Sequence, residues 1–489
     1  MRIAPQALAE GSLPLLRRPD FRKFLHLHVL GAGGCPICRN VAWLDDRYFS
    51  RFQRENFALA KTWNGLTRSL GFCAADGART VAHPSGQPAV ATVHEVLTRR
   101  VGKILSRVVS TRRKGSGGGP ILAEHDRCPA CRSRDDVTGR AASFLATALN
   151  DPEALRQYEG LRSVCFPHVQ AMARYCGGSI LQYVLGVHKI AVDSAAESVA
   201  AFDREHGADR NADEENMVGA LLKALPLTAG CNRTYDLFEP PLADKPSPTS
   251  RGPVENLVEA MSRNDGCAVC IEMDRTWVER MKWLCGKISE GCEFDELLPV
   301  CPQHLWAAVC DGPPLLVVAS VRNALRIIAG QIRTALDTLA PSSSPARRGM
   351  MPRIREAIQG SHRRLGEARD VIGRPLPCPA CTLLQAARDR TLMLLSALLK
   401  DSLRRNAFER GYGLCLKHYS RALALNPSPE MHAFLTEVEA GKLALLRWEL
   451  EESSRKSPWS SRPESSGTEN TAWKRAVARF SGSFVWSPE

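Results

Sequence analysis

Aromatic residues make up only 6% of this 489-residue chain, so it advertises no stacking platform for bases. No run of 18 uncharged apolar residues occurs. The longest candidate, around residues 315–330, is broken by Arg322 and Arg326, which argues against membrane insertion. The opening stretch, MRIAPQALAEGSLPLLRRPDF, lacks an apolar core followed by a small-residue cleavage site. The expectation is therefore a cytoplasmic location. Enzyme signatures are missing too. GSGGGP lacks the Lys-Ser/Thr ending of a phosphate loop, there is no Gly-x-Ser-x-Gly elbow, and His94-Glu95 has no second histidine in place for a His-Glu-x-x-His zinc motif. Carboxylates such as Asp45 and Asp46 are scattered along the sequence and fall into no catalytic motif. The sequence favours a non-enzymatic role.

Hydrophobic residues at 44% and charged residues at 24% are ordinary for a globular chain and exclude wholesale disorder. The length suggests about three domains. The seventeen cysteines are the unusual feature. Their odd number, with no export signal, makes a disulfide framework a poor explanation. Four Cys-x-x-Cys pairs occur: Cys35/Cys38, Cys128/Cys131, Cys267/Cys270 and Cys378/Cys381. Each is followed by one further cysteine, Cys73, Cys165, Cys301 or Cys415, after gaps of 34, 33, 30 and 33 residues. With two residues between, it is followed by His168, His304 and His418 in three copies and by Asp76 in the first. Twelve of the seventeen cysteines thus obey one pattern, and an internal repeat is the first thing such a chain declares.

The stretches between the ligand pairs read as helical. The fourth copy, TLLQAARDRTLMLLSALLKDSLRRNAFERGYG, is rich in good helix formers. Leu384, Ala387, Leu392, Leu395 and Leu399 recur at helical spacing, and Gly411 and Gly413 end the pattern before Cys415. In the second copy Asp151-Pro152-Glu153 is a helix start. The fold class expected is all-α: four tandem helical modules, each clamped by its own Cys-x2-Cys … Cys-x2-His site. Boundaries follow from Gly-, Pro- and Ser-rich linkers: a lead segment 1–30, modules at 31–113, 121–205, 254–340 and 371–452, a disordered linker 453–472 and an amphipathic tail 473–489. Trp473, Val477 and Phe480 share one face of that tail, so docking onto the body is preferred to a free partner-binding tail.

Zinc takes four tetrahedral sulfur and nitrogen ligands. Two cysteines separated by two residues reach one ion from a tight turn, and a distant Cys-x2-His completes the set. The 30–34-residue insert has room for two helices that leave the metal and return. The ion would then clamp two helix starts, whose partial positive charge favours thiolate. Small modules with thin cores gain folding free energy from such an ion. The expected ligands are Cys35, Cys38, Cys73 and Asp76; Cys128, Cys131, Cys165 and His168; Cys267, Cys270, Cys301 and His304; and Cys378, Cys381, Cys415 and His418. Three or four zinc ions would be held. Ordinary buried thiols, thioredoxin-type redox chemistry and an iron–sulfur cluster are the alternatives. The redox motif needs a βαβ context, and the tight ferredoxin Cys-x2-Cys-x2-Cys run is missing. In module one, Asp76 is a harder oxygen ligand beside three thiolates. His83 or His94 could substitute, and the site is expected to be weak or absent. It is also the one candidate for an open site.

The alternation of CPIC, CPAC and CPAC with GFC, VCFPH, VCPQH and GLCLKH resembles a bacterial family of uncharacterised helical proteins that carry a Cys-Pro-x-Cys and then a Gly-x-Cys-x-x-His some 30–40 residues on. The resemblance spans all four modules, at the motif positions only. It implies a helical metal-binding protein of bacterial origin and carries over no activity. Asp76 and the Cys-Ala-Val-Cys of module three depart from its pattern.

Cys176, Cys231, Cys285, Cys292 and Cys310 lie outside the repeat and read as buried apolar cysteines. Arg99, Lys103 and Arg107 would form one basic helical stripe beside Arg100, Arg112, Arg113 and Lys114. Arg347, Arg348, Arg353, Arg355, Arg363 and Arg364 make a second basic cluster. A solvated face is the plainer reading, and nucleic-acid binding the weaker one. Twelve thiolates and four divalent ions would lower the net charge from +13 to about +9. The functional expectation is a zinc-binding scaffold for a protein partner. The alternative is an iron–sulfur or redox-active protein with module one as its open site.

Overall fold

A computed structural model describes residues 34–55, 59–82, 87–113, 126–161, 164–206, 221, 224–230, 252–290, 295–312, 314–340, 350–425, 427–456 and 467–483. Among these residues there is no strand, and the protein is all-α.

One order of helices repeats through the modules. Module one has α1 (Pro36–Arg54), α2 (Ala60–Arg68), α3 (Ala74–Ala82) and α4 (Gln87–Arg113). Module two has α5 (Pro129–Ala148), α6 (Pro152–Leu161), α7 (Phe166–Ala173) and α8 (Gly178–His206). A lead helix α9 (Pro253–Ser262) precedes module three, which has α10 (Ala268–Ser289), a 3-10 turn (Asp295–Leu297), α11 (Pro302–Asp311) and α12 (Pro314–Leu339). Helix α13 (Met350–Gly373) precedes module four, which has α14 (Pro379–Leu398), α15 (Ser402–Arg410), α16 (Leu416–Ala424) and α17 (Pro429–Arg455). A last helix, α18 (Ala472–Ser481), closes the described chain.

Local chemistry sets the ends of these helices. Asp151 accepts the amide of Glu153 at 3.1 Å, Asp401 that of Arg404 at 3.0 Å, and Ser428 that of Met431 at 3.2 Å, each satisfying a free helix-start donor. Gly411 ends α15. Leu384, Ala387, Leu392 and Leu395 are buried along α14, and Leu399 just past its end, as their spacing requires.

The described residues form two compact units, each made of three stretches of chain. One takes residues within Met1–Leu44, Arg134–Arg233 and Met281–Ala380, the other residues within Asp45–Ser133, Thr234–Arg280 and Cys381–Glu489. In the first, α8 packs along α12 and α12 along α13, which also meets α7. In the second, α4 packs along α17, and α18 lies against α3, α4, α16 and α17. The units therefore do not follow the module boundaries.

The α12 stretch Leu315–Leu339 is long and apolar enough to cross a membrane by length and composition, but 61% of its apolar 18-residue window is buried inside the protein, as suits a core helix packed between α8 and α13. The amphipathic tail docks: Trp473, Val477 and Phe480 are buried. Order begins before residue 473, because a 3-10 turn spans Thr468–Thr471 and Lys456 pairs with the buried Glu469 at 3.0 Å. Helix α17 also continues to Arg455, into the stretch expected as a linker. The lead segment 1–30, Lys114, Cys231, Cys292 and Arg347–Arg348 lie outside the described residues.

Candidate metal centres

All eight ligand pairs are built alike. The first cysteine stands just before a helix and the second ligand three residues on, in its first turn. Cys165, Cys301 and Cys415 are extended cap residues, with φ near −70° and ψ near 155°. The carbonyls of Cys35, Cys73, Cys128, Cys165, Cys267, Cys301 and Cys415 each accept the amide four residues later, at 2.7–3.2 Å. This is the geometry of a capping box, in which the side chains at the cap and three residues on converge on one spot. At Cys73 the likeness is direct, since the Asp76 amide donates to Cys73 Sγ at 3.4 Å. Pro36, Pro129, Pro302 and Pro379 take the first helical position, where a missing N–H costs nothing.

Two such helix starts meet at each of four clusters, but the pairing corrects the sequence expectation. Cluster A joins Cys35 and Cys38 of module one to Cys165 and His168 of module two. Cluster B joins Cys73 and Asp76 of module one to Cys128 and Cys131 of module two. Cluster C joins Cys267 and Cys270 of module three to Cys415 and His418 of module four, and cluster D joins Cys301 and His304 to Cys378 and Cys381. No module closes its own site; modules one and two exchange ligand pairs, as do three and four.

Helix length is the reason. The helix after each Cys-x-x-Cys has 19, 20, 22 or 20 residues, which carries the chain about 30 Å from the metal. The next segment is a helix of 9 or 10 residues, or in module three a 3-residue turn. It returns about 15 Å at most. The second ligand pair is thus stranded far from the first and closes on another module.

The donor atoms suit a single ion. In every cluster they lie within 4.8 Å of one another. In A, His168 Nδ1 is 3.2, 3.3 and 3.1 Å from the sulfurs of Cys35, Cys38 and Cys165, and Cys165 Sγ is 3.5–3.6 Å from the other two. In C, His418 Nδ1 is 3.3–3.4 Å from the three sulfurs. In D, His304 Nδ1 is 3.2 Å from Cys301 Sγ and 3.7 Å from Cys378 Sγ. A tetrahedral zinc ion would set S···S edges of about 3.8 Å and S···N edges of about 3.5 Å. Disulfides are excluded among these cysteines, all of which are free.

Asp76 supplies the fourth corner of B. It is buried, and its Oδ2 is 3.2 Å from Cys73 Sγ, 3.2 Å from Cys128 Sγ and 3.5 Å from Cys131 Sγ. The expected gap in module one is therefore filled. His94 is elsewhere, its Nδ1 2.8 Å from the Val90 carbonyl oxygen, and His83 lies outside the described residues.

Protonation shows what the clusters demand. Burial opposes ionisation of Cys35, yet hydrogen bonds from Cys165 and Cys38 and the charge on His168 bring it well below the ordinary thiol range. Hydrogen bonds from Cys267 and Cys415 do the same for Cys270. Burial works against the His418 imidazolium, but the Cys270 and Cys267 thiolates hold it up at about 10. In B there is no base to share the charge. Hydrogen bonds with Cys128 and Cys131, burial and the Asp76 carboxylate push Cys73 well up. Burial, then Cys131, does so for Cys128. Once ionised, a buried set of three thiolates and a carboxylate carries four negative charges, which a bound cation offsets in part. The residues at all four clusters fit a divalent ion.

Some supporting residues had no signal in the ligand spacing. On α8, His188 hydrogen-bonds the backbone of Val164, the residue before Cys165. On α17, Glu439 accepts the amide of Leu414, the residue before Cys415, at 2.8 Å. Such outer contacts orient ligands. Buried polar residues on otherwise apolar helix faces were the one available hint. Cys176 is buried and Cys285 half-buried; neither joins a cluster.

Fold and clusters together define an all-helical repeat protein with, among the described residues, four groups of ligands able to hold metal ions. No protein-family model, curated protein or solved structure matches the chain.

Proposed function

We propose that the chain is a zinc-binding, non-enzymatic scaffold of the same kind as the bacterial helical family it resembles, in which four structural ions staple modules together and present a surface to a protein partner. The observation that carries this reading is the exchange of ligand pairs. Each ion joins helix starts that are far apart in sequence, so metal binding is tertiary folding. Four protein donors per cluster leave no position for water, which a catalytic zinc keeps. Donor atoms within 4.8 Å of one another support one ion over a multi-iron cluster with its bridging sulfides. Free thiols in this number suit a reducing compartment such as the cytoplasm. The basic stripe of α4 lends nucleic-acid binding little support: Arg99 pairs with Glu95 at 2.6 Å and Glu451 at 3.8 Å, and Arg100 donates to Asn64 at 2.6 Å.

Elemental analysis of the purified chain, with its visible spectrum, tests the reading. Four zinc ions per chain and no colour are expected. Iron with acid-labile sulfide and visible absorption would replace it with the iron–sulfur reading, and a metal-free folded chain would end both.

A further inference from the structure

Clusters A and C share a feature built from residues that ligate nothing. The helical stretch 224–229 ends at Gly230, with φ +73°, and α18 ends at Gly482, with φ +80°. A Cβ at Gly230 would sit 3.1 Å from Cys38 Sγ and 3.2 Å from Cys165 Sγ; one at Gly482 would sit 3.4 Å from Cys270 Sγ and Cys415 Sγ. Each glycine thus lays bare backbone on a pair of sulfurs, in a conformation that L side chains rarely adopt. Both plugs are held firmly. The indole N–H of Trp306 donates to the Gly230 carbonyl at 3.3 Å, and Ala224, Thr228, Phe480 and Ser481 are buried. The Ser483 amide donates to Cys270 Sγ at 3.5 Å. All three cysteines of A and of C are buried, at 5% exposure or less. At B, by contrast, Cys131 is half-buried, and at D so are Cys301 and Cys381.

We propose that A and C are sealed structural positions, whereas B and D are exchange positions, where a thiol of another molecule can reach the ion. This assignment rests on the metal-binding reading. In the exchange, the incoming thiol forms a new metal–sulfur bond as a half-buried cysteine leaves. Its proton passes to the departing thiolate, so charge balances and no oxidant is involved. Zinc tolerates a fifth ligand in passing, which lets the newcomer bind before the old ligand departs. Sealed clusters must first open locally, and that cost slows them.

The test uses the full zinc-loaded chain. A colorimetric zinc chelator, pyridylazoresorcinol, is added in excess while N-ethylmaleimide pulses report which cysteines become free, read by peptide mass spectrometry. Two ions should leave in a fast phase and two at least about tenfold more slowly, with Cys131, Cys301 and Cys381 alkylated before Cys38, Cys165, Cys270 and Cys415. Gly482→Ala should move one further ion into the fast phase. Should that variant fail to fold, the alkylation order in the parent chain decides alone. A full complement of zinc leaving in one phase, or early alkylation of Cys165 or Cys415, would overturn the assignment and leave the metal reading standing. A chain that carries no zinc would remove the metal reading itself.

Discussion

Replacing Arg479 with methionine should release the C-terminal helix from the body. Arg479 and Glu439 are buried and paired at 3.1 Å. The guanidinium also donates to the carbonyls of Leu414 and Tyr412, both at 2.6 Å, and lies 3.9 Å from the centre of the Tyr412 ring. Burial pushes the Glu439 carboxyl up, against the pull of Arg479 and the Leu414 amide. Removing one member of such a pair leaves a buried charge unmatched and costs about 3–5 kcal/mol. That cost falls on docking of α18, so the opening equilibrium of the tail should rise by at least about a hundredfold. Amide hydrogen exchange of residues 472–481 in the zinc-loaded chain measures it. Glu439→Gln keeps an acceptor for the Leu414 amide and should cost less. The double variant should lose about 2 kcal/mol less than the sum of the two single losses. Simple addition of the single effects, or unchanged exchange in Arg479→Met, would refute the claim that this pair holds the tail.

Three further outcomes are expected. Asp76→His gives B the Cys3His donors of the other clusters and should slow its loss of zinc to a chelator, while Asp76→Ala should lower zinc content by one ion, both read by elemental analysis during a chelator titration. Cobalt(II) in place of zinc should give the intense visible bands of tetrahedral thiolate coordination; weak octahedral bands would contradict the donor geometry. Burial pulls His94 down from 6.5 to about 4, and its Nε2 has no partner. Above pH 6.5 folded and unfolded forms are both neutral there. As pH falls from 6.5 towards 4 only the unfolded chain takes the proton, so stability drops, by about 2 kcal/mol at pH 5. His94→Leu should lose that share of the acid sensitivity in denaturant titrations, and an equal acid limb in both proteins would count against it.

Much of the chemistry was legible before the fold. The repeat put sixteen residues forward as ligands, and the structure gathers those sixteen into four groups. Helix formers and apolar spacing gave the all-α class, and the apolar face of Trp473, Val477 and Phe480 gave the docked tail. The partition of ligands was not read correctly, because a gap of 30–34 residues fits two equal helices as well as one long and one short. The sign was present in module two, where the Asp151-Pro152-Glu153 start leaves about 20 residues before it and about 10 after, too unequal for a return. Gly230 and Gly482 could not be found from spacing, since a glycine after a helix is a common stop and only the tertiary fold sets it against sulfur. Asp76 read as a defect because oxygen matches zinc less well than nitrogen. Only the packed site shows that its carboxylate reaches all three thiols.

The exchange of ligand pairs between modules is tested most directly by counting zinc in paired cysteine variants. Cys35→Ser and Cys165→Ser stand in different modules but at one cluster, whereas Cys35→Ser and Cys73→Ser stand in one module but at different clusters. Elemental analysis of the purified double variants should find one ion missing from the first and two from the second. Two ions missing from the Cys35/Cys165 variant and one from the Cys35/Cys73 variant would show that each module closes its own site, and would contradict the account.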